Sequence, residues 1–187
     1  MKHIPSSEVQ LHSVDAATIE AARRGDRPAL ARLLSALQDV WYRFCLSMLH
    51  DPDRAADATQ ETGLRFLKQI ASFRGDSQIQ TWSLGIALNV VRELKRKRPT
   101  EGLSEQDEPA AATPRVAGLI EREEETDVLK RTLNMLPDRQ REALTLRFFE
   151  DLSVEQTAQA MGCAEGTVKA TVHQALRVLR EKMKQLK

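Results

Sequence analysis

The sequence predicts an all-α protein: two small helical domains joined by a flexible linker, the C-terminal one containing a helix-turn-helix. Three observations predict it. Aromatic residues make up only 4% of the 187 residues, and β-branched runs are short, so sheets are disfavoured. Apolar residues recur at helical spacing wherever they cluster. Between Thr100 and Gly118, Gly102, Pro109, Pro114 and an alanine tract with acids cannot bury a core, so this stretch reads as linker. The expected limits are a disordered tail over 1–14, a first domain over 15–98, a linker over 99–118 and a second domain over 119–187.

The elements follow in order. Asp15 can cap a short helix from Ala16 to Arg24 that stops at Gly25. Asp26 caps the next, with Pro28 in its first turn, and Leu33, Leu37, Val40, Trp41, Phe44 and Met48 keep helical spacing to His50. Trp41 and Phe44 read as core. Asp51-Pro52-Asp53 stops that helix and starts another that runs to about Ala71. Its apolar or small positions include Ala55, Ala58, Leu64, Phe66, Leu67 and Ile70, while Asp57, Gln60, Glu61 and Arg65 share a polar face that reads simply as solvated.

Ser72–Gln80 breaks the periodicity and is expected as an ordered loop. Thr81–Lys97 is helical again, with Trp82, Ile86, Val90 and Leu94 four apart and a strongly basic end. An aromatic beside a polar loop, followed by a basic helix, can stack on unpaired bases and hold phosphates. A core tryptophan with a solvated helix end fits this segment as well. Helix resumes near Leu119, and Pro137 opens another through Leu144, Leu146 and Phe148.

Leu152–Met183 reads as two helices around a tight turn. Ser153 and Gln156 form a capping-box pattern, and Gly162 suits a left-handed helix end. The second helix, from about Ala164, carries an apolar stripe through Val168, Val172, Ala175/Leu176, Leu179 and Met183. Its opposite face holds Gly166, Thr167, Ala170, His173, Gln174 and Arg177, flanked by Lys169. Small residues let such a helix approach a major groove, and polar tips meet base edges and phosphates. An ordinary helical hairpin remains the competing reading at this point.

Composition sets limits. No apolar run reaches the roughly 18–20 residues of a membrane span, and the N-terminus has no apolar signal-peptide core. Cys45 and Cys163 are far apart and suit a reducing cytoplasm, so a cytoplasmic location is expected. The four histidines are scattered, and no phosphate loop, zinc cluster or nucleophile–base set is visible. The chain is therefore expected not to be an enzyme, with no catalytic residue, metal or cofactor assigned. Net charge is only +1, yet it is segregated. Arg92–Arg98 has five basic residues and one acid, Glu165–Lys187 six and two, and Leu103–Glu125 two and seven. Two basic blocks around an acidic stretch suggest two nucleic-acid contacts.

Four segments together resemble the extracytoplasmic-function (ECF) sigma factors of bacterial RNA polymerase, which keep regions 2 and 4 only. They are Gly25-Asp26 with Ala29-Leu30 and Leu33-Leu34; Ala56-Asp57-Ala58-Thr59-Gln60-Glu61; Phe73-Arg74-Gly75 with Thr81-Trp82, Ile86-Ala87 and Asn89; and Leu136-Pro137, Arg141-Glu142, Leu146-Arg147, Leu152-Ser153, Ala158, Gly162 and Gly166-Thr167-Val168-Lys169. The resemblance implies a factor that binds core polymerase, directs it to −10 and −35 promoter elements and helps melt the −10 region. It implies that Asp57, Gln60, Glu61 and Arg65 meet the clamp of the large polymerase subunit, and that region 4 meets its flap. It also implies that Phe73, Arg74, Asp76, Ser77, Asn89, Arg92 and Arg96 contact the −10 strand, with Trp82 supporting the loop. Gly166, Thr167, Lys169, Ala170, Thr171, His173, Gln174 and Arg177 would read −35. An anti-sigma protein is a further candidate partner; a membrane is not.

Ala170, Thr171 and Gln174 replace the family's usual Ser, Arg and Arg, which implies an atypical −35 preference. The main competing reading is a regulator that binds DNA without polymerase, which leaves the basic run at Arg92–Arg98 unexplained.

Overall fold

The computed structural model describes residues 14–97, 133 and 135–185, and all described elements are helical. The expected tail, the linker and the helix near Leu119 lie outside the described residues. The helices are α1 (Ala16–Arg23), α2 (Arg27–Leu49), α3 (Pro52–Gln69), a 3-10 turn (Ile70–Ser72), α4 (Ile79–Lys97), α5 (Asp138–Leu144), a π-helical segment (Thr145–Phe149), α6 (Val154–Met161) and α7 (Glu165–Gln185).

The first three helices begin on aspartate caps. The carboxylates of Asp15, Asp26 and Asp51 accept from the backbone N–H of Thr18, Ala29 and Arg54 at 2.8, 2.8 and 3.0 Å. Each satisfies a donor that the first helical turn leaves without a partner. Helix α2 ends on His50, whose left-handed φ of 56° turns the chain straight into Asp51-Pro52 and α3. Helix α4 starts at Ile79, two residues before the sequence predicts, because Ile79 is buried and anchors the turn.

Helices α2, α3 and α4 pack around an aromatic chain. Trp41 meets Phe66 at 5.3 Å between centroids, Phe66 meets Trp82 at 5.7 Å, and Trp82 meets Phe73 at 5.2 Å, all tilted. The buried Trp41 indole N–H donates to Ser83 Oγ at 2.9 Å, which donates in turn to the Gln80 carbonyl. The indole's polar edge is thereby satisfied without water.

The C-terminal group is built around α7, which packs on α5 and α6 through Val168, Ala175 and Leu179. The helix expected from Pro137 to Phe148 changes character midway. It is α-helical to Leu144 and π-helical to Phe149, with Glu150 N–H donating to the Thr145 carbonyl. The extra residue in the turn leaves Phe148 and Phe149 on the surface, 54% and 56% exposed. Asp151 at φ 52° and a hydrogen bond from Arg147 to the Leu152 carbonyl complete the reversal into α6.

The two helical groups are in contact, which the sequence did not indicate. One continuous apolar cluster runs from α2–α4 into Leu146, Leu152, Ala158, Ala160 and Met161. At Gly85 the two backbones come close: a Cβ there would lie 3.3 Å from the Ala160 carbonyl oxygen and 3.5 Å from its Cα.

One buried residue is poorly matched to its place. Thr157 on α6 is fully buried, and its hydroxyl has no hydrogen-bond partner. Replacing it with the isosteric Thr157→Val removes an unmet polar group at constant volume, so thermal unfolding should show a gain of about 1 kcal/mol.

Candidate nucleic-acid and polymerase interfaces

Three surfaces carry the residues singled out from sequence. The first is a stripe on α3. Asp57 and Gln60 are exposed and Glu61 is half-buried. Leu64 (54% exposed) and Leu67 (39%) lie on the same stripe, three to seven residues further along. The periodicity had counted these leucines with the apolar positions. They belong to the surface because α3 buries only the face of Ala55, Ala58, Thr62 and Phe66. Arg65 is not a free member of the stripe. Its guanidinium donates to Glu61 at 2.7 Å and to both carboxylate oxygens of Glu93 of α4 at 2.7 Å. These bonds hold Arg65 more firmly charged and pull the Glu93 carboxyl below its ordinary range, chiefly through the Arg65 hydrogen bond. In this conformation Arg65 fastens α3 to α4.

The second surface combines the 73–78 loop with the outer side of α4. Arg74 and Asp76 are exposed, Ser77 is half-buried, and Gly75 takes a left-handed φ of 82° that glycine adopts without strain. Phe73 departs from its expected role as a DNA contact. It is 5% exposed against Trp82, so it supports the loop from beneath and its ring cannot meet a base. Trp82 is half-buried in the same stack. Further along α4, Asn89, Arg92 and Arg96 line a groove of about 550 Å³ with Arg65, Gln69 and Glu93. Asn89 and Arg96 are exposed. Arg92 is engaged: its Nε and Nη2 donate to the two oxygens of Glu142 on α5 at 3.0 and 2.6 Å. That carboxylate raises the Arg92 pKa against the cost of burial.

The third surface is the outer face of α7. The capping box forms as expected, with Gln156 N–H donating to Ser153 Oγ at 3.0 Å and Ser153 N–H to Gln156 Oε1 at 2.7 Å. Gly162 is left-handed at φ 64°, and Cys163 N–H returns to the Ala158 carbonyl at 3.0 Å. The turn presents Gly166, Thr167, Lys169, Ala170, His173, Gln174 and Arg177, all exposed. Thr171 is half-buried and sits at the margin of that face. Lys169 leans toward Glu165 at 3.6 Å, a surface pair that competes weakly with any anion. Exposed Phe148 and Phe149 form a separate apolar patch, with the Arg147 guanidinium 5.9 Å above the Phe148 ring.

Among the described residues, no cluster of His, Cys, Asp and Glu could hold a metal ion, and no helix is long and apolar enough to cross a membrane. A helix-turn-helix with an open outer face and a second groove carrying Arg65, Arg92 and Arg96 together give the geometry of a DNA reader.

The comparisons agree with this class. The family description Sigma-70 region 2 matches residues 33–100, and Sigma-70 region 4 matches residues 126–179. The chain is 30% identical over 172 residues to the RNA polymerase sigma-H factor of Pseudomonas aeruginosa, covering 86% of this chain and 89% of that one. It is 38% identical over 136 residues to the ECF RNA polymerase sigma factor EcfG of Rhodopseudomonas palustris, covering 71% and 72%. Among solved structures, the sigma factor RpoE of Bartonella quintana, crystallised with the anti-sigma factor NepR, superposes with a TM-score of 0.66 at 30% identity, over 82% of this chain and 96% of that one. CnrH, solved with the cytosolic domain of CnrY, shares the fold at a TM-score of 0.68 and 20% identity, over 90% and 96%. The chain belongs to the ECF family of RNA polymerase sigma factors, with regions 2 and 4, and so directs RNA polymerase to promoters.

One titratable group in the C-terminal fold stands apart. Glu150 is 8% exposed, and its Oε2 has no partner. Burial pushes its carboxyl up from 4.5 to about 7; Arg43 opposes the rise and Asp151 adds to it. The folded state therefore holds a proton that the unfolded state releases between pH 4.5 and about 7. Stability is fully present below that window and falls as pH rises through it. Glu150→Gln should stabilise the protein by about 2 kcal/mol at pH 8 and change little at pH 4, measured by denaturant unfolding at both pH values.

Proposed function

We propose that this sigma factor divides its work among the three surfaces, with region 2 over 15–98, region 4 over 119–187 and the intervening segment as linker. The α3 stripe of Asp57, Gln60 and Glu61, joined by Leu64 and Leu67, docks on the clamp of core polymerase. Carboxylates steer the encounter, and the two leucines supply the apolar area that makes it last. Arg65 contributes by fixing α3 to α4.

The 73–78 loop holds a base flipped from the non-template −10 strand. Arg74, Asp76 and Ser77 offer polar contacts, while Trp82 and Phe73 brace the loop from below. Asn89, Arg92 and Arg96 follow the strand's backbone along the α4 groove. The outer face of α7, from Gly166 to Arg177, enters the major groove at −35. Gln174, in a position where the family usually carries Arg, favours adenine over guanine. The exposed Phe148–Phe149 patch suits the flap. The role is one of binding and strand capture rather than chemistry of its own, carried out in the cytoplasm. The kinship with the NepR-bound sigma factor supports an anti-sigma protein as a further partner.

The observation that carries this reading is the convergence of Asn89, Arg92 and Arg96 in one groove along α4, well apart in sequence from the open face of α7. The test mixes the purified chain with bacterial core polymerase and a genomic fragment library. Co-elution with new discrete start sites is the expected result. Absence of co-elution together with tight DNA binding by the chain alone would favour an independent regulator. Arg92→Ala combined with Arg96→Ala should lower promoter opening by about tenfold while leaving polymerase affinity within about twofold; equal loss of both would refute the groove assignment. Leu64→Glu should do the reverse, weakening co-elution about tenfold, since it places a charge in the apolar part of the docking stripe.

A further inference from the structure

Helix α7 starts at Glu165 and turns Val168, Ala175 and Leu179 into the core. At about 100° per residue, Gly166, Ala170 and Arg177 point away from Val168 to within about 20°. This outermost line begins with almost no side chain. Gly166 is exposed, and a Cβ added there would meet nothing within 4 Å. Its backbone is ordinary right-handed helix, so neither packing nor conformation calls for glycine. Glycine is also a poor residue for a helix. Its place here is explained by something outside the chain that comes close to the helix. Ala170, one turn on, is exposed and adds a single methyl. Gln174 and His173 are exposed and flank the line on opposite sides. The cations stand clear of the start of the line. Lys169 leans back to Glu165 at 3.6 Å. Arg177 lies about 18 Å further along the axis than Glu165, at 1.5 Å per residue.

We propose that α7 reads an A·T-rich −35 element, with Ala170 against the C5-methyl of a thymine and Gln174 on the N6 and N7 edge of a nearby adenine. This deepens, and rests on, the assignment of the outer face of α7 to −35. In a helix-turn-helix, the N-terminal residues of the second helix meet the base edges. Here the outer positions of that part, Gly166, Thr167, Ala170, His173 and Gln174, hold no guanidinium. The two-pronged contact that selects guanine is missing from them, and Lys169, on the flank, is placed for a phosphate. A bare methyl neither donates nor accepts, and thymine alone among the bases presents a methyl in the major groove. Gly166 withholds a side chain, so the helix settles deep enough for that methyl to touch. Ala170 and Gln174 are about 6 Å apart along the axis, and base pairs stack at about 3.4 Å. The thymine and the adenine therefore fall roughly one to two steps apart. His173, on the other flank, offers a base edge one ring nitrogen at a time and adds no second two-pronged contact.

The test uses the full chain bound to bacterial core polymerase. Its templates derive from a promoter recovered from the genomic fragments, with the −35 element randomised and the rest kept. Transcribed templates should be enriched in a thymine and an adenine at that spacing. Gln174→Arg should move the preference from adenine to guanine at that one position, by about tenfold in relative transcription. The methyl contact is tested separately by replacing each thymine of the selected element with deoxyuridine, which removes the C5-methyl and nothing else. One position should lose about fourfold in the wild-type complex, the worth of one buried methyl, and lose nothing with Ala170→Gly. Each ratio is taken within one complex, so any change in the stability of the variant cancels. Guanine or cytosine in place of the adenine overturns the A·T reading while leaving α7 at −35. So does a deoxyuridine series with no loss in the wild-type complex, or with the same loss in Ala170→Gly. Transcription with no preference anywhere in the randomised element would instead remove the −35 assignment, and the A·T reading with it.

Discussion

Helix α4 has to be buried and has to present polar side chains outward, and the rest of the structure is arranged around that double demand. Ile79, Thr81, Ser83, Leu84, Ile86, Ala87, Leu88, Val90 and Val91 are all buried. The helix is enclosed by α2, α3 and α6, which leaves only Asn89 and the basic end to face outward. A helix so enclosed is rigid: its outward side chains are presented on a frame that the core determines. The aromatic chain from Trp41 to Phe73 carries that rigidity into the loop, and the Arg65–Glu93 pair fixes the neighbouring docking helix to the same frame. The outer stripe of α3 and the outward side chains of α4 thus share one rigid frame.

Much of this frame was legible in the sequence because it rests on local rules. Asp15, Asp26, Asp51, Ser153 and Gly162 each do what their chemistry dictates at a helix end, and the structure places each where its cap or left-handed turn is needed. The open face of α7 follows from period alone. What could not be read depends on neighbours distant in the chain. Leu64 and Leu67 fit a helical stripe as well as any core leucine does; only the packing of α3 on α2 and α4 decides that they face outward. Phe73 sits in a polar loop and looks available, but Trp82 lies within stacking distance and buries it. The π-helical segment has no signature in TLRFF; it arises where α5 must turn into Leu152 while Leu146 stays buried.

The contact between the two helical groups is the largest feature that composition concealed. A Pro-rich acidic stretch between two basic blocks argues for two independent bodies, and nothing in the period of either body reveals the other. Its components are visible only in retrospect. Gly85 lies inside a helix, where glycine costs about 1 kcal/mol relative to alanine and so calls for a reason; the reason is the Ala160 backbone. Glu142 is 3% exposed beside buried Ala143 and Leu144, and a buried carboxylate requires a cation. Arg92 supplies it from fifty residues away.

The near-zero net charge takes on a different meaning in this light. A chain at +1 with segregated blocks could be neutral by accident of composition. Here the balance is realised in space: Glu93 answers Arg65, Glu142 answers Arg92 and Asp138 answers Lys95. Arg65 and Arg92 line the α4 groove, each with a carboxylate at hydrogen-bond distance, while Lys95 turns toward α5. Two of the three carboxylates belong to the C-terminal group, and the third, Glu93, belongs to α4 itself. The segregated basic block is thereby balanced locally as well as in total. A chain whose cations are balanced this way gains little from bulk attraction, which would act on any nucleic acid, and depends on the placement of the polar residues left open, Asn89 and Arg96 on α4 and the outer face of α7.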